Sequence, residues 1–531
     1  MKQALYFITI VIVALGMDGQ LRAQEQTSNK QPTRYIVTDL GLAGDQVEGI
    51  SNNGSLDYTA TLPDGTVHAT FRRHGRKSDL GTLGGPNSSA FYGPSERGQV
   101  VGKAETSTKD PNGEDFCFYG TNLICLAFVW QNGQMTALPI LGGNNATAND
   151  INNRGEIVGY AETNTPDPTC PPPQVLQSPP VIWKNGVIHE LPTFSGDPDG
   201  GAFGINDKGQ AVGESGNCTT PLHAVLWGED GQVKDLGNLG GTVNVAQGIN
   251  NLGHVVGASN LTGDTTGHAF LWTEDKGMQD LGTVEGDSSS YAFSVNDKDQ
   301  VVGISADLNG NFHAFVWQDG VMTDLNKVIP RDSQLDLIEA FDINARGEIV
   351  GLANDPGHVF LAIPCDEQHA DRRGCKEGDA VDVQSDTSER PKVILSEHAR
   401  QLLWQRMGGR YRVTPPAGMT TQTAAESAPE QPPSCSARSS SRQSGAAEPA
   451  SAITDNVIGP RVFGYCLSNG RLLSGYCIGP NPFDQRVCSA GRDQLQCPPG
   501  AKAIRPERVT FGRLCESIEV DAARRCSFRL P

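Results

Sequence analysis

Several features on which other protein classes depend are scarce in this 531-residue chain or absent from it. The chain has 42 Lys and Arg against 61 Asp and Glu, for a formal net charge of −19, and its Arg-rich patches are small and scattered. Nucleic acid recognition needs a concentrated basic surface, so we expect no nucleic acid partner. The GxSxG, HExxH and Walker patterns are absent, so we assign no catalytic residue and no cofactor.

Long apolar runs are absent beyond the first residues of the chain. Residues 5–15 are mostly apolar, Lys2 precedes them, and Leu21-Arg22-Ala23 follows with a small residue at the end, which is the pattern of a secretory signal. The run is short for a membrane span. We predict a signal peptide at 1–23, a linker at 24–34 and a secreted, periplasmic or extracellular mature chain without a membrane span. An uncleaved N-terminal anchor is the open alternative.

Glycine is abundant instead, with 62 residues, and it separates short apolar stretches that repeat in a fixed order. We name the stretches A to D. One copy contains Ala246-Gln247-Gly248-Ile249 (A), Val255-Val256-Gly257 (B), His268 to Trp272 (C) and Met278 to Leu281 (D). The stretches are too short and too rich in β-branched residues for helices, so they predict β-strands.

The number of stretches predicts the architecture. Stretches A and C each occur seven times, but D follows only the first six C stretches. The missing D stands at the front of the chain, at Tyr35 to Gly41. A permuted strand of this kind closes a ring, so we predict an all-β fold with a seven-bladed β-propeller at 35–364, closed by its N-terminal strand. A ring of six or eight blades and a β-solenoid are the alternatives.

The repeat resembles the HAF family of probable extracellular repeats, which is named for its His-Ala-Phe tripeptide. His268-Ala269-Phe270 and His313-Ala314-Phe315 carry the resemblance, together with Leu236-Gly237-Asn238-Leu239-Gly240-Gly241. It covers residues 35 to about 363, although the first three copies depart from the pattern in stretch C. The resemblance implies export and repetition, and it implies no assigned reaction.

Residues that recur in every copy are expected to be structural. Histidine opens stretch C, and we expect a buried imidazole that bonds within its own blade, with Asp235, Asp280 or Asp324 as acceptors, and that does not bind zinc. Tryptophan ends stretch C and is expected to pack between blades and not to bind sugars. Asparagine precedes the A-to-B turn and suits it. These structural repeat residues include His223, His268, His313, Trp227, Trp272, Trp317, Asn206, Asn250 and Asn296.

Function is therefore expected where the copies differ. The B-to-C loops of blades 2 and 3, at about 105–125 and 162–180, are long and emerge on the same face as the D-to-A connections. Calcium is a weak alternative on this face, because its acidic loops lack EF-hand spacing. The acidic residues concerned are Asp197, Asp199, Asp264, Asp287 and Asp307.

Thirteen cysteines in an exported chain predict disulfides, with metal binding as the alternative. We expect Cys117 to pair with Cys125, Cys170 with Cys218, and Cys365 with Cys375. Residues 365–455 have the composition of a disordered linker, with a short amphipathic helix at 396–407. A small cysteine-rich module follows at 456–531, and Cys435 is left over. The six cysteines of the module are Cys466, Cys477, Cys488, Cys497, Cys515 and Cys526.

We predict a secreted, non-catalytic binding or scaffold protein that uses the variable loops on one face of the propeller. Its extracellular ligand is open among a glycan, a peptide and a surface protein. The alternatives are a carbohydrate-active propeller enzyme, either a lyase or a glycoside hydrolase, and a purely structural envelope role. Three or more ionisable groups in desolvated environments that converge at the mouth of the channel would favour the enzyme.

Overall fold

The computed structural model describes residues 32–41, 46–170, 174–218, 220–308, 311–353, 358–367, 369 and 375, and the backbone of three later strands. The predicted signal peptide and the helix at 396–407 lie outside the described residues. Cys435, Cys488, Cys497, Cys515 and Cys526 lie outside them too. Of Cys466 and Cys477 only the backbone is described.

Seven four-stranded antiparallel sheets confirm the predicted seven-bladed β-propeller. Each blade places its first strand next to its second, its second next to its third and its third next to its fourth. Blade 1 contains β2 (Gln46–Ile50), β3 (Leu56–Thr61), β4 (Val67–Arg73) and β5 (Arg76–Asp79). Blade 2 contains β6 (Gly84–Ala90), β7 (Val100–Lys109), β8 (Leu123–Gln131) and β9 (Gln134–Ala137). Blade 3 contains β10 (Ala146–Ile151), β11 (Ile157–Ala161), β12 (Pro180–Lys184) and β13 (Val187–Glu190).

The remaining blades repeat this order, with short 3-10 turns at Phe194–Gly196 and Leu325–Lys327. Blade 4 contains β14 (Asp199–Ile205), β15 (Ala211–Asn217), β16 (Thr220–Trp227) and β17 (Val233–Asp235). Blade 5 contains β18 (Gly240–Ile249), β19 (Val255–Leu261), β20 (Gly267–Thr273) and β21 (Gly277–Asp280). Blade 6 contains β22 (Ser289–Val295), β23 (Val301–Ala306), β24 (Phe312–Gln318) and β25 (Val321–Asp324). Blade 7 contains β26 (Leu337–Ile343), β27 (Ile349–Ala353) and β28 (His358–Pro364).

The N-terminal strand completes blade 7, as the sequence predicts. Strand β1 (Tyr35–Asp39) pairs antiparallel with β28, in a register that runs from Tyr35 opposite Pro364 to Asp39 opposite Phe360. The ring is therefore closed by backbone hydrogen bonds between the two ends of the repeat region, and β1 forms the outer strand of blade 7.

Glycine in the second strand lets the two inner strands of a blade approach closely. A β-carbon at Gly257 would lie 2.0 Å from the carbonyl oxygen of Val245, and one at Gly303 would lie 2.0 Å from that of Tyr291. The innermost strands of six blades, blade 2 excepted, also shift register as in a β-bulge in this region, for example between Ala292 and Ser294. A bulge increases the local twist of a strand, which suits a blade that fans out from an axis.

The hydrophobic core lies between successive blades. Trp227 packs against residues of blade 3, including Ile182, and its indole N–H donates to the carbonyl of Pro192 over 2.8 Å. Trp183 makes the equivalent bond to Pro139, also over 2.8 Å. Packing of each blade on the next buries both tryptophans almost completely.

The chain divides into two compact units, residues 1–424 and 425–531. The second contains a three-stranded antiparallel sheet of β29 (Arg461–Ser468), β30 (Arg471–Ile478) and β31 (Lys502–Ile504), with β29 in the centre. Within the described residues, no helix has the length and apolar character needed to cross a bilayer.

Candidate ligand-binding site at the propeller axis

Asparagine side chains link the A-to-B turns of blades 3 to 7, and that of blade 1, in series around the axis. Asn206 Nδ2 donates to the carbonyl of Asn250 in the next blade over 3.0 Å, and Asn250 donates in the same way to Asn296 over 3.0 Å. Asn152, Asn296 and Asn344 make equivalent bonds. The same asparagines also accept bonds from their own turns, as when Asn206 Oδ1 accepts from the Gln210 N–H. The sequence predicted the turn bonds, but the bonds to the next blade appear only in the structure.

The next residue of each turn forms a second belt, in which a backbone N–H donates to the side chain of the following blade. Asn153 N donates to Asp207 Oδ1 over 2.8 Å, and Ala345 N donates to Asn52 Oδ1 over 2.7 Å. The belt runs in order through Asn52, Glu96, Asn153, Asp207, Asn251 and Asp297. The belt is interrupted between blades 6 and 7, because the side chain of Ala345 has no atom that could accept a hydrogen bond from the Asp297 N–H.

These two belts of hydrogen bonds surround an open depression of about 230 Å³ at the axis. Its lining contains the carboxyl groups of Glu96, Asp150, Asp207, Asp297 and Asp342 and contains no Lys, Arg or His. Carboxamides and the Ser294 hydroxyl make up much of the remaining polar surface. The electrostatic environment therefore disfavours an anion and suits a neutral or positively charged polar group.

Asp150 and Asp342 occupy equivalent places in blades 3 and 7 and bond across a blade boundary. Asp150 Oδ2 accepts from the Ile205 N–H over 2.8 Å, and Asp342 Oδ2 accepts from the Ile50 N–H over 2.8 Å. Burial raises the pKa of Asp150 to about 7, although both backbone N–H bonds favour its ionised form. Burial also raises the pKa of Asp342. Each carboxyl therefore bonds the next blade while it lines the depression.

Aromatic rings lie beneath this acidic surface. The ring centroids of Tyr92 and Phe341 are 5.5 Å apart, and those of Phe341 and Phe293 are 5.2 Å apart. Tyr291 continues the cluster and donates its hydroxyl to Gln247 Oε1 over 2.8 Å. Phe293 and Phe341 are buried, whereas Tyr92 is partly exposed and lines the depression.

Asp57 is an exception within the inner strands. It lies in β3, opposite Gly49 of β2. The second strands of the other six blades have valine at the equivalent register position. The aspartate is 0% exposed, and neither carboxyl oxygen has a hydrogen-bond partner. Burial raises its pKa well above the usual range, and the charges of Glu48, Asp342 and Asp150 raise it further. A comparison of the seven B stretches could have found this departure, which our sequence interpretation missed.

The long loops occupy the opposite end of the axis. The blade 2 loop, residues 110–122, buries Phe116 against Tyr160 of blade 3, with ring centroids 5.7 Å apart. A disulfide between Cys117 and Cys125 holds its end. The loop also packs against blades 4 and 5, so it forms a cap over this end of the axis. Part of the loop surface that the sequence predicted for binding is thus buried by internal packing.

Buried carboxyls connect the loops of blades 2 and 3. The Asn145 side-chain amide donates to Asp110, Glu114 and Glu162 over 3.0, 3.2 and 2.9 Å. Glu114 Oε1 also accepts from the Val175 N–H over 2.9 Å. The cap is therefore cross-linked by hydrogen bonds as well as by disulfides.

Two further disulfides match the predicted pairs, Cys170 with Cys218 and Cys365 with Cys375. The first joins the loop of blade 3 to that of blade 4. Asp167 and Asp199 lie close to its sulfurs, in a group whose ligand atoms are within 4.8 Å of one another. Because both sulfurs are oxidised to a disulfide, they are not the thiolates that a metal would need.

Lys103 lies among acidic groups near the cap. Lys103 Nζ lies 5.4 Å from the centre of the Phe91 ring and 5.2 Å from that of Phe118. Burial lowers its pKa to about 8, while the carboxylates of Asp115, Glu48 and Glu105 oppose that effect. Cation–π contact and these carboxylates together account for a cation at this position.

The recurring histidines bond within their blades but are partly exposed. His268 Nδ1 lies 2.9 Å from Asp280 Oδ1, and His223 Nδ1 lies 3.2 Å from Asp235 Oδ2. His313 departs from the expected pairing, because its Nδ1 lies 2.8 Å from Asp287 and not against Asp324. Burial raises the pKa of Asp324, so its charged form is disfavoured there. The preceding connection brings Asp287 closer than the edge strand brings Asp324.

The remaining repeat tryptophans and the candidate calcium residues have structural contacts. Trp272 is buried against blade 4, and Trp317 is partly buried. The acidic residues accept protein hydrogen bonds, as when Asp264 accepts from Thr242 N over 2.7 Å and Asp197 accepts from Ser215 Oγ over 2.7 Å. Asp199 accepts from Ser178 N, Asp287 bonds His313, and Asp307 accepts from Asn311.

No protein-family model and no curated protein matches this sequence. Solved structures resemble the fold. A puromycin-hydrolysing peptidase of Mycobacterium tuberculosis is 12% identical, with 63% of this chain and 55% of the peptidase covered and a TM-score of 0.39. This chain thus spans about half the length of that peptidase. A gluconolactonase of Xanthomonas campestris is 12% identical, with 63% and 96% covered and a TM-score of 0.29. An oligogalacturonate lyase of Vibrio parahaemolyticus is 9% identical, with 64% and 93% covered and a TM-score of 0.35. Identity this low carries no information on activity.

Proposed function

We propose that this protein is an exported, non-catalytic binding protein whose axial depression takes a small polar group without negative charge. The observation that carries the proposal is the lining, which combines five carboxyl side chains and many carboxamides with no basic side chain. The depression is open and its walls are held by two belts of hydrogen bonds between blades. A preformed site of this kind limits the ordering that binding would require.

The same bonds favour binding over catalysis. Asp150 and Asp342 are the two inner carboxyls that could act as an acid and base pair, but their oxygens accept backbone N–H groups. A general acid or base must reach a substrate proton with the atom that transfers it.

The proposed site lies on the face opposite the long loops, whereas the sequence predicted binding on those loops. Those loops pack on one another and on the axis through Phe116 and the Asn145 hydrogen bonds. A rigid cap at one end and an open polar depression at the other are compatible with a ligand that enters from the side of the short turns. The glycan, peptide and surface-protein classes all contain groups that fit the depression.

The test is a binding screen of the full-length protein on glycan and peptide arrays, with two matched variants. Ala345 is exposed, lines the depression and contributes only its backbone, so Ala345→Trp should obstruct the opening. Leu252 is exposed at the following position of an equivalent turn and is not part of the lining, so Leu252→Trp is the control. We expect array binding that A345W abolishes and L252W retains. Binding unaffected by A345W, or the absence of any array ligand, would overturn the proposal.

A further inference from the structure

We propose that the C-to-D turn of blade 1, residues 72–77, is a docking surface for a linear polysaccharide that carries carboxylate groups. The turn contains four Lys and Arg side chains, one His and no acidic residue, in a chain whose formal net charge is −19. The equivalent turns of blades 2 to 6 contain at most one Lys or Arg each. This surface is separate from the axial depression, so the inference goes beyond the proposed function.

The strand register of blade 1 places like charges opposite each other. Arg72 lies opposite Lys77, and Arg73 lies opposite Arg76. Like charges directly opposite each other destabilise an antiparallel sheet. The other six blades have an apolar or aromatic pair at the position of Arg72 and Lys77, namely Trp130–Met135, Trp183–Ile188, Trp227–Val233, Trp272–Met278, Trp317–Met322 and Ala362–Val37. An anionic partner that contacts both basic pairs would offset the repulsion within them.

The guanidinium groups of this turn are available to such a partner. Arg73 and Arg76 are exposed, and neither side chain bonds or pairs with another residue in the part of the chain that the structure describes. Nη1 of Arg72 is shielded from solvent and has no hydrogen-bond partner there either. A guanidinium binds a carboxylate through two parallel N–H donors, so three arginines favour an oxyanion as the bound group.

The turn holds these side chains in a fixed arrangement. His74 and Gly75 have φ values of 50° and 75°, and positive φ at both central residues is typical of the tight type I′ hairpin turn. Successive residues of a strand point to opposite faces, so one basic pair lies on each side of the hairpin. A polymer with repeated acidic groups can cross the turn and contact both pairs.

The surroundings extend the basic surface toward blade 2. A β-carbon at Gly98 would lie 3.6 Å from Arg73 Nη1, so the turn lies beside the A-to-B turn of blade 2. That turn also contains the exposed Arg97. The docking surface therefore lies on the same face as the short turns that surround the depression.

The composition of the turn favours a polysaccharide over other anionic partners. Residues 72–77 include no apolar side chain. Protein interfaces usually depend on buried aromatic or apolar anchors, and peripheral membrane binding depends on apolar insertion. Nucleic acid needs a larger basic footprint than one turn. A carboxylated polysaccharide combines a hydrophilic chain with spaced single charges, which suits a small and wholly polar surface.

The experiment compares four probes by titration calorimetry on the full-length protein. The probes are polygalacturonate, its uncharged methyl ester, poly-L-glutamate and phosphatidylglycerol vesicles. The variant is R73Q/R76Q, which installs the Gln131–Gln134 pair of the equivalent turn in blade 2 and is expected to fold. The control is K208Q/K276Q, which removes the same charge from two exposed lysines in other turns of this face.

We expect polygalacturonate to bind the wild type and K208Q/K276Q equally and R73Q/R76Q about tenfold more weakly, because charge-assisted hydrogen bonds are lost. The methyl ester should not bind. Equal affinity of polygalacturonate for the two double variants, or no binding to the wild type, would overturn the proposal.

The remaining probes test the class of partner. If poly-L-glutamate or the vesicles bind as tightly as polygalacturonate and depend on Arg73 and Arg76, the turn binds anions but the polysaccharide assignment is wrong. A345W should leave polygalacturonate binding unchanged, and loss of binding in A345W would place the polymer in the axial depression instead. Failure of the array screen leaves these expectations unaltered, so the two proposals are tested separately.

Discussion

Blade 6 and blade 1 follow the same strand order but solve the crowding near the axis differently. Blade 6 places Val302, Gly303 and Ile304 on its second strand, where blade 1 places Asp57, Tyr58 and Thr59. In blade 6, the apolar side chain of Val302 packs into the hydrophobic core. Blade 1 keeps the backbone arrangement but buries a carboxyl. The fold therefore tolerates chemical departures in one blade because the other six specify the ring.

The greatest loss of stability is expected where a side chain is added at a second-strand glycine, between the two inner strands of a blade. Gly257→Ala would place a β-carbon 2.0 Å from a backbone carbonyl oxygen in blade 5, so the two inner strands would have to separate. We expect the free energy of unfolding to fall by about 3 kcal/mol, as overpacking of a core does. Urea denaturation measures this change in the free energy of unfolding. Gly228→Ala is the control, because its near neighbour is the side chain of Asp230, and equal losses in both variants would contradict the packing argument.

The next effect sharpens the contrast between the two blades directly. Asp57→Val gives blade 1 the residue of the regular blades and removes a buried carboxyl without a partner. We expect an increase of about 2 kcal/mol in the free energy of unfolding at pH 7. Asp57→Asn, which keeps a polar group, should recover less of it. A destabilised D57V protein would mean that the carboxyl has a stabilising partner.

The pH dependence of stability tests the inner carboxyls of blades 1, 3 and 7. Burial raises the pKa of Asp57, Asp150 and Asp342 in the folded protein, so folding favours their protonated forms. Their contribution to stability is complete below about pH 4, the ordinary pKa of aspartate, and is lost as the pH rises through the folded values, about 7 for Asp150.

Thermal unfolding between pH 4 and pH 8 measures this dependence. Comparing each variant with the wild type separates the effect of the substituted aspartate from that of the other carboxyls. Asp150→Asn should flatten the decline between about pH 5 and pH 8, and Asp57→Val should flatten it further at the upper end. An unchanged profile in both variants would show that these groups titrate at ordinary values in the folded protein.

The smallest effect concerns the interruption in the second belt. Ala345→Asn would offer a side-chain oxygen to the Asp297 N–H of blade 6 while the residue's own N–H keeps its bond to Asn52. One added hydrogen bond should raise the free energy of unfolding by about 1 kcal/mol. Leu252→Asn, at a neighbouring turn position outside the belt, is the control. No gain relative to that control would mean that the belt does not act as a continuous set of bonds.

The number of blades, the closure by Tyr35 to Asp39 and the three cysteine pairs outside the tail could be predicted from the sequence alone. These follow from local signals, because strand periodicity, turn residues and the position of an orphan strand are all visible along the chain. Three-dimensional contacts alone reveal that the long loops close one end of the axis, that His313 bonds Asp287, and that the Asp57 side chain is fully buried. Those facts depend on contacts between blades that are distant in sequence, and a pattern within one copy cannot specify which side chain of another blade it meets.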